Sequence, residues 1–186
     1  MFSRSNKEIM NTALVIIDVQ KYLFDVEPQP FERDETIARI NSLSAKARRA
    51  GIPVIVIQHE RENHPLAYGA EGWELPEDLV VADSDVKVRK TAPDSFFKTN
   101  LKELLDERGI TDLTVCGFAS EFCVDTTFRR AASLGYNLCL VSDAHTTHDK
   151  DHASGQLIRE HHNNTLVYLG GYDGSVAVLP EAEVKL

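Results

Sequence analysis

The sequence predicts an α/β protein built on a doubly wound, mainly parallel sheet of six strands. Short, nearly continuous apolar runs such as Ala13-Leu14-Val15-Ile16-Ile17 recur along the chain. That is the pattern of strands buried on both faces, as in a parallel sheet. Between them lie longer stretches with apolar residues at helical spacing, several closed by a glycine stop signal. Strand and helix alternate from end to end without an internal repeat or low-complexity tract. The 186 residues suit one domain, residues 1–186, with a sizeable core.

The first strand is Thr12–Asp18, which puts an acid at its carboxyl end. After a loop holding Pro28 and Pro30, residues 34–50 read as helix, with Ile37, Ile40, Leu43 and Ala47 in phase and Gly51 as the stop. Pro53–Gln58 is the second strand. A long polar segment follows, His59 to about Asp83, containing the sole tryptophan, Trp73. Connections of that length are usually functional or lids. Val86–Arg89 is a short third strand, and a helix lies within Ser95–Arg108. Leu113–Gly117 is the fourth strand, Phe122–Leu134 a helix, and Asn137–Val141 the fifth strand. Asp151–His162 reads as helix, Leu166–Leu169 as a sixth strand, and Gly170–Leu186 as a tail.

Composition excludes several classes of function. The net charge of −9 argues against a nucleic-acid partner, because phosphate contacts need a basic face. Three widely spaced cysteines do not make a disulfide framework. Met1–Glu8 has no signal-peptide core, and no apolar run is long enough to span a bilayer. The expectation is a reduced, cytoplasmic protein with a small-molecule substrate and no membrane partner.

The chemistry centres on Cys123. The chain passes from the fourth strand through Gly117-Phe118-Ala119-Ser120 into a helix, and Cys123 sits where turn becomes helix. The amino-terminal field of a helix favours thiolate. In an open α/β sheet, ligands bind at the carboxyl ends of the strands, at a topological switch point. Asp18 and Cys123 converge there if strands one and four are neighbours. An acid so placed serves as general base for the thiol. Lys90, at the end of the short third strand, is the third candidate, since a cation nearby favours thiolate and orients the acid. Cys116 and Cys139 lie inside apolar strands and read as buried hydrophobes.

Asp18 in LVIIDVQ, Lys90 in KTAPDSFFKTNL, and GFASEFCVDTTFRRAASLGY around Cys123 resemble the isochorismatase-like cysteine hydrolases. The resemblance runs from about Ala13 to Leu166. It implies a Rossmann-like, three-layer α/β/α fold and an Asp18–Lys90–Cys123 triad. It also implies a non-proline cis peptide between Phe118 and Ala119, aiming the Ala119 N–H with that of Cys123 at one oxyanion. The implied reaction is hydrolysis of an amide-like C–N bond through a thioester. Isochorismatase proper cleaves a vinyl ether, and Cys123 favours the amidase side. A catalytically silent, ligand-binding member of the fold is the alternative of another class.

Nicotinamidases in this family hold a metal through an acid and histidines after the second strand. Here Gln58 stands where the family has its acid, followed by His59, Glu60 and, further on, His64. No metal and no cofactor are therefore expected. Phe24, Trp73, Phe118, Glu121 and His145 are candidate substrate contacts, with Tyr22 beside them. Family members act on nicotinamide, N-carbamoyl compounds, ureas and the lactam of streptothricin-type antibiotics. The Ser120–Asp125 wording leans toward the last. The family is commonly dimeric or larger, so a homo-oligomer is expected, with the apolar Val176–Leu179 as a surface for a neighbour.

Overall fold

The computed structural model describes residues 11–186. The Met1–Glu8 stretch, expected to lack a signal-peptide core, lies outside the described residues. Among the described residues six strands form one sheet: β1 (Thr12–Ile17), β2 (Val54–His59), β3 (Val86–Lys90), β4 (Asp112–Phe118), β5 (Asn137–Thr146) and β6 (Val176–Leu179). Their order is β3-β2-β1-β4-β5-β6, and every pairing is parallel. The chain leaves β1 toward β2 and β3, then returns to lay β4 on the other side of β1. That reversal is the switch point, and it puts the carboxyl ends of β1 and β4 side by side.

Five α-helices are found among the described residues: the single turn α1 (Lys21–Phe24), α2 (Arg33–Arg49), α3 (Leu101–Glu107), α4 (Asp125–Ser133) and α5 (Gly155–Leu166). Side chains alternate across a strand, so a strand buried on both faces feeds two cores. Ala13, Val15 and Ile17 of β1 pack with Leu101 and Leu105 of α3 and Phe128, Ala131 and Ala132 of α4. Leu14 and Ile16 face the other way, onto Ile37, Ile40, Leu43 and Ala47 of α2. All six residues of β1 are buried. This is the three-layer arrangement the apolar runs predict. Among the described residues no helix is long and apolar enough to cross a membrane.

The carboxyl-terminal third differs from expectation. Leu166 closes α5 and the sixth strand is Val176–Leu179, which pairs in parallel with β5. Those apolar residues therefore form the edge strand of the sheet, each partly buried. α5 starts at Gly155, four residues later than Asp151, because Ser154 caps it by accepting from Leu157 N. β5 runs past Val141 to Thr146, with a register shift against β4 between Val115 and Gly117.

Gly117 permits the close approach of β4 to β1. Its φ is +118°, and a Cβ there would lie 2.1 Å from the Ile17 carbonyl oxygen. Only glycine allows two backbones to meet in this way. The seam it closes lies directly beside Asp18.

Candidate active site

Asp18 follows the last residue of β1. Its φ of 52° lies in the left-handed region, which aspartate tolerates better than most residues. Its N–H still bonds Ile57 O on β2 at 2.9 Å, so the backbone is held as it turns out of the strand. Lys90 ends β3, opposite His59 at the end of β2. The Lys90 ammonium donates to Asp18 Oδ2 at 2.7 Å, in a pair whose side chains are 0% and 1% exposed. It also bonds Ala92 O at 3.1 Å and His59 Nδ1 at 3.2 Å. A lysine has three N–H donors, and here each has an acceptor. The other carboxylate oxygen, Asp18 Oδ1, is buried without a hydrogen-bond partner. The site thus holds an anchored cation and one free acceptor lobe.

Cys123 lies in a five-residue π turn, Ser120–Val124, that leads directly into α4. Such turns frequently mark functional sites. Its sulfur, an Asp18 carboxylate oxygen and a His59 ring nitrogen lie within 4.8 Å of one another. Burial first, then the Asp18 charge, push the Cys123 thiol up to about 12, against a lowering pull from Lys90. This corrects the expectation of a resting thiolate. The field of the helix end is outweighed by desolvation and the neighbouring carboxylate. At neutral pH the sulfur keeps its proton and needs a base.

The peptide bond between Phe118 and Ala119 is cis. The Ala119 carbonyl turns back into the π turn and accepts from Phe122 N at 3.0 Å and Val124 N at 3.1 Å. Ser120 is fully buried, and its hydroxyl meets His145 Nδ1 at 2.8 Å.

Two of the expected substrate contacts take structural positions instead. Phe24 has no exposed surface and packs at an angle on Phe118, ring centroids 5.8 Å apart. His145 is likewise enclosed, bridging Ser120 Oγ and Asn163 Oδ1, and burial drives its pKa down to about 4. Phe118 is mostly buried, between Phe24 and His148. Glu121 accepts from Thr147 Oγ1 at 2.9 Å and pairs with Lys150 at 3.2 Å. With Phe122 it borders a cavity of about 480 Å³ that reaches Leu157 and His161 on α5. Trp73 ends a short 3₁₀ turn, edge-on to Tyr68. Tyr22 meets His64 edge-on and lines a separate cavity of about 660 Å³ with Arg33 and Asp78. Neither cavity wall includes Asp18, Lys90 or Cys123.

Gln20 is a site residue that the sequence reading missed. Fully buried, it accepts from His59 N at 2.8 Å and donates to His59 O at 2.9 Å and Trp73 O at 3.0 Å. Gln58 Nε2 donates to the same Trp73 carbonyl at 3.0 Å. The signal was present in part, because Gln58 follows the apolar run of β2 and Gln20 lies two residues beyond Asp18.

The residues after β2 do not fit a metal. Gln58 spends its amide on Trp73 O, and His64 Nδ1 accepts from Leu66 N at 3.2 Å. Glu60 pairs with Arg89 at 2.7 Å. Asp18, His59 and Cys123 do cluster, but the Lys90 ammonium already bonds Asp18 and His59. A divalent cation there would face a buried positive charge.

Comparison with known proteins places this geometry in a family. The sequence model of the isochorismatase domain matches residues 12–167. A streptothricin hydrolase of Streptomyces noursei is 40% identical over 141 residues, 74% of this chain and 50% of that protein. A second from the same organism is 37% identical over 57% of its own length, so the chain spans about half the length of these relatives. The ureidoacrylate amidohydrolase of Pseudomonas syringae pv. syringae is 30% identical, over 72% of this chain and 69% of that one. A solved isochorismatase family protein superposes with a TM-score of 0.82 at 32% identity, covering 91% of this chain and 98% of the other. The chain therefore belongs to the isochorismatase family.

Proposed function

We propose that this protein is a cysteine hydrolase that cleaves an amide-like C–N bond of a small molecule through a thioester. The observation that carries the reading is the buried Asp18–Lys90 pair beside a protonated Cys123. A thiol held up to about 12 is a poor nucleophile until a base removes its proton. Asp18 supplies the base. Lys90 occupies one carboxylate oxygen and leaves Oδ1 open.

The sulfur attacks the substrate carbonyl carbon as its proton passes to Asp18. The Ala119 and Cys123 N–H groups serve as donors to the developing oxyanion. Asp18 then gives the proton to the leaving nitrogen, and the C–N bond breaks. Water, deprotonated by Asp18, attacks the thioester and releases the acid and the thiol. Lys90 acts through its charge, since its three N–H bonds are already made. The relatives named for amide-type substrates support a carbamoyl, ureido or lactam bond over a vinyl ether.

The test is an amide panel against wild type and Cys123→Ala. Nicotinamide, N-carbamoyl amino acids and ureas are followed by ammonia release, and cyclic lactams by the gain of one water in mass. Turnover of at least one compound, abolished in Cys123→Ala, is the expected result. Turnover that survives the substitution would overturn the reading.

A further inference from the structure

His59 lies outside the three residues that carry the proposed chemistry, yet it touches them. It sits opposite Lys90 in the β2–β3 register. Parallel partners share a sheet face, so the imidazole meets the ammonium directly, at 3.2 Å from Nδ1. We propose that His59 is a positioning residue: its Nδ1 takes the third N–H of Lys90 and fixes the ammonium so that Asp18 keeps one oxygen free for the thiol proton. The inference rests on the triad reading above.

A closed circuit of contacts carries it. Gln20, two residues beyond Asp18, grips the His59 backbone through both N–H and C=O. The His59 ring holds Lys90, and Lys90 returns to Asp18 at 2.7 Å. Ends of three strands are thereby locked to one another. For Nδ1 to accept, the ring must be neutral, with its proton on Nε2. Burial, then the Lys90 charge, hold the His59 pKa below its usual value, in keeping with a neutral ring.

The alternative to this bond is costly. Lys90 is buried, so a freed N–H finds no water. Asp18 Oδ1 is an unpartnered acceptor, and the Cys123 sulfur lies close by. If the ammonium turns to Oδ1, the base lobe is lost. If it turns to the sulfur, the charge that steadies Asp18 moves away. Either way the relation between acid and thiol changes, although His59 never touches the reacting bond.

Iodoacetamide alkylation of Cys123 tests this without a known substrate. The rate is followed by peptide mass spectrometry across pH 6–10 in wild type, His59→Leu and His59→Asn. Asparagine Oδ1 stands about where Nδ1 stands, so it keeps the acceptor. His59→Leu should change the alkylation rate at a fixed pH by about threefold or more, because thiolate fraction governs the rate. His59→Asn should restore the wild-type profile. On whichever panel amide turns over, His59→Leu should lower kcat by about 10- to 100-fold with KM little changed, as misplacement of a reacting group does. A His59→Leu profile equal to wild type overturns the proposal. So does a change that asparagine fails to restore. Should the leucine variant fail to fold, His59→Ala takes its place against His59→Asn. Cys123→Ala reports separately on the triad, so failure of that reading is distinguishable.

Discussion

Replacing Lys90 by methionine tests the energetics of the site directly. In the wild type two opposite charges are enclosed, with side-chain exposures of 0% and 1%. Met fills much of the volume of lysine but leaves Asp18 without its partner, and Oδ1 is already unpartnered. Removing one member of a buried pair costs about 3–5 kcal/mol, because the remaining charge keeps its desolvation penalty. Removing both members is often neutral or stabilising. The second substitution should be Asp18→Asn, since a φ of 52° suits asparagine and penalises most other residues. Lys90→Met should therefore lose about 3–5 kcal/mol, and the double variant should recover to within about 1 kcal/mol of wild type. Urea unfolding at pH 7.5, followed by Trp73 fluorescence and circular dichroism, measures both. A Lys90→Met protein as stable as wild type would refute the account of an enclosed pair whose charges depend on each other. So would a double variant no better than the single one. Both variants should be inactive, which separates stability from chemistry.

Asp18→Asn alone should keep the fold while lowering kcat by about 100- to 10,000-fold, the range for a lost acid–base group; near-wild-type rates across pH would remove Asp18 from the mechanism. His145 makes the fold sensitive to acid. Its folded pKa of about 4 lies below the ordinary 6.5, so its contribution is complete above pH 6.5 and is lost as pH falls toward 4. That difference is worth about 3 kcal/mol in full. The stability gap between wild type and His145→Asn should therefore shrink on acidification, and a gap constant from pH 8 to pH 4.5 would contradict the burial argument. Dialysis against a strong chelator should leave turnover intact, because Gln58, His59 and His64 are committed elsewhere; a loss restored by zinc would overturn that assignment.

How much of this was legible beforehand depended on how many faces of each element are buried. Leu14 to Ile17 of β1 and Val54 to Ile57 of β2 are enclosed on both sides and announce themselves as apolar runs. The β6 residues Val176–Leu179 are each only partly buried in a four-residue strand at the sheet edge, so they resembled a tail. α5 buries little beyond Gly155, Ile158 and Leu166, so its start could be read only from the Ser154 cap. The continuation of β5 through Ser142-Asp143-Ala144-His145 was hidden because polar residues occupy a strand held by its neighbours. At the site, Asp18 and Lys90 were visible as acid and cation at strand ends, and Cys123 as a thiol where turn becomes helix. The His59–Lys90 bond was not, because it depends on a pairing register that no local pattern encodes.

The high pKa of the resting sulfur has one more consequence. Oxidation to sulfenic acid and adventitious alkylation both follow thiolate character. A cysteine pushed up to about 12 shows little of it at neutral pH. Under the proposed mechanism the sulfur is thereby shielded from peroxide and stray electrophiles during the intervals between turnovers, and Asp18 would expose it only when a carbonyl carbon is in place to receive the electrons.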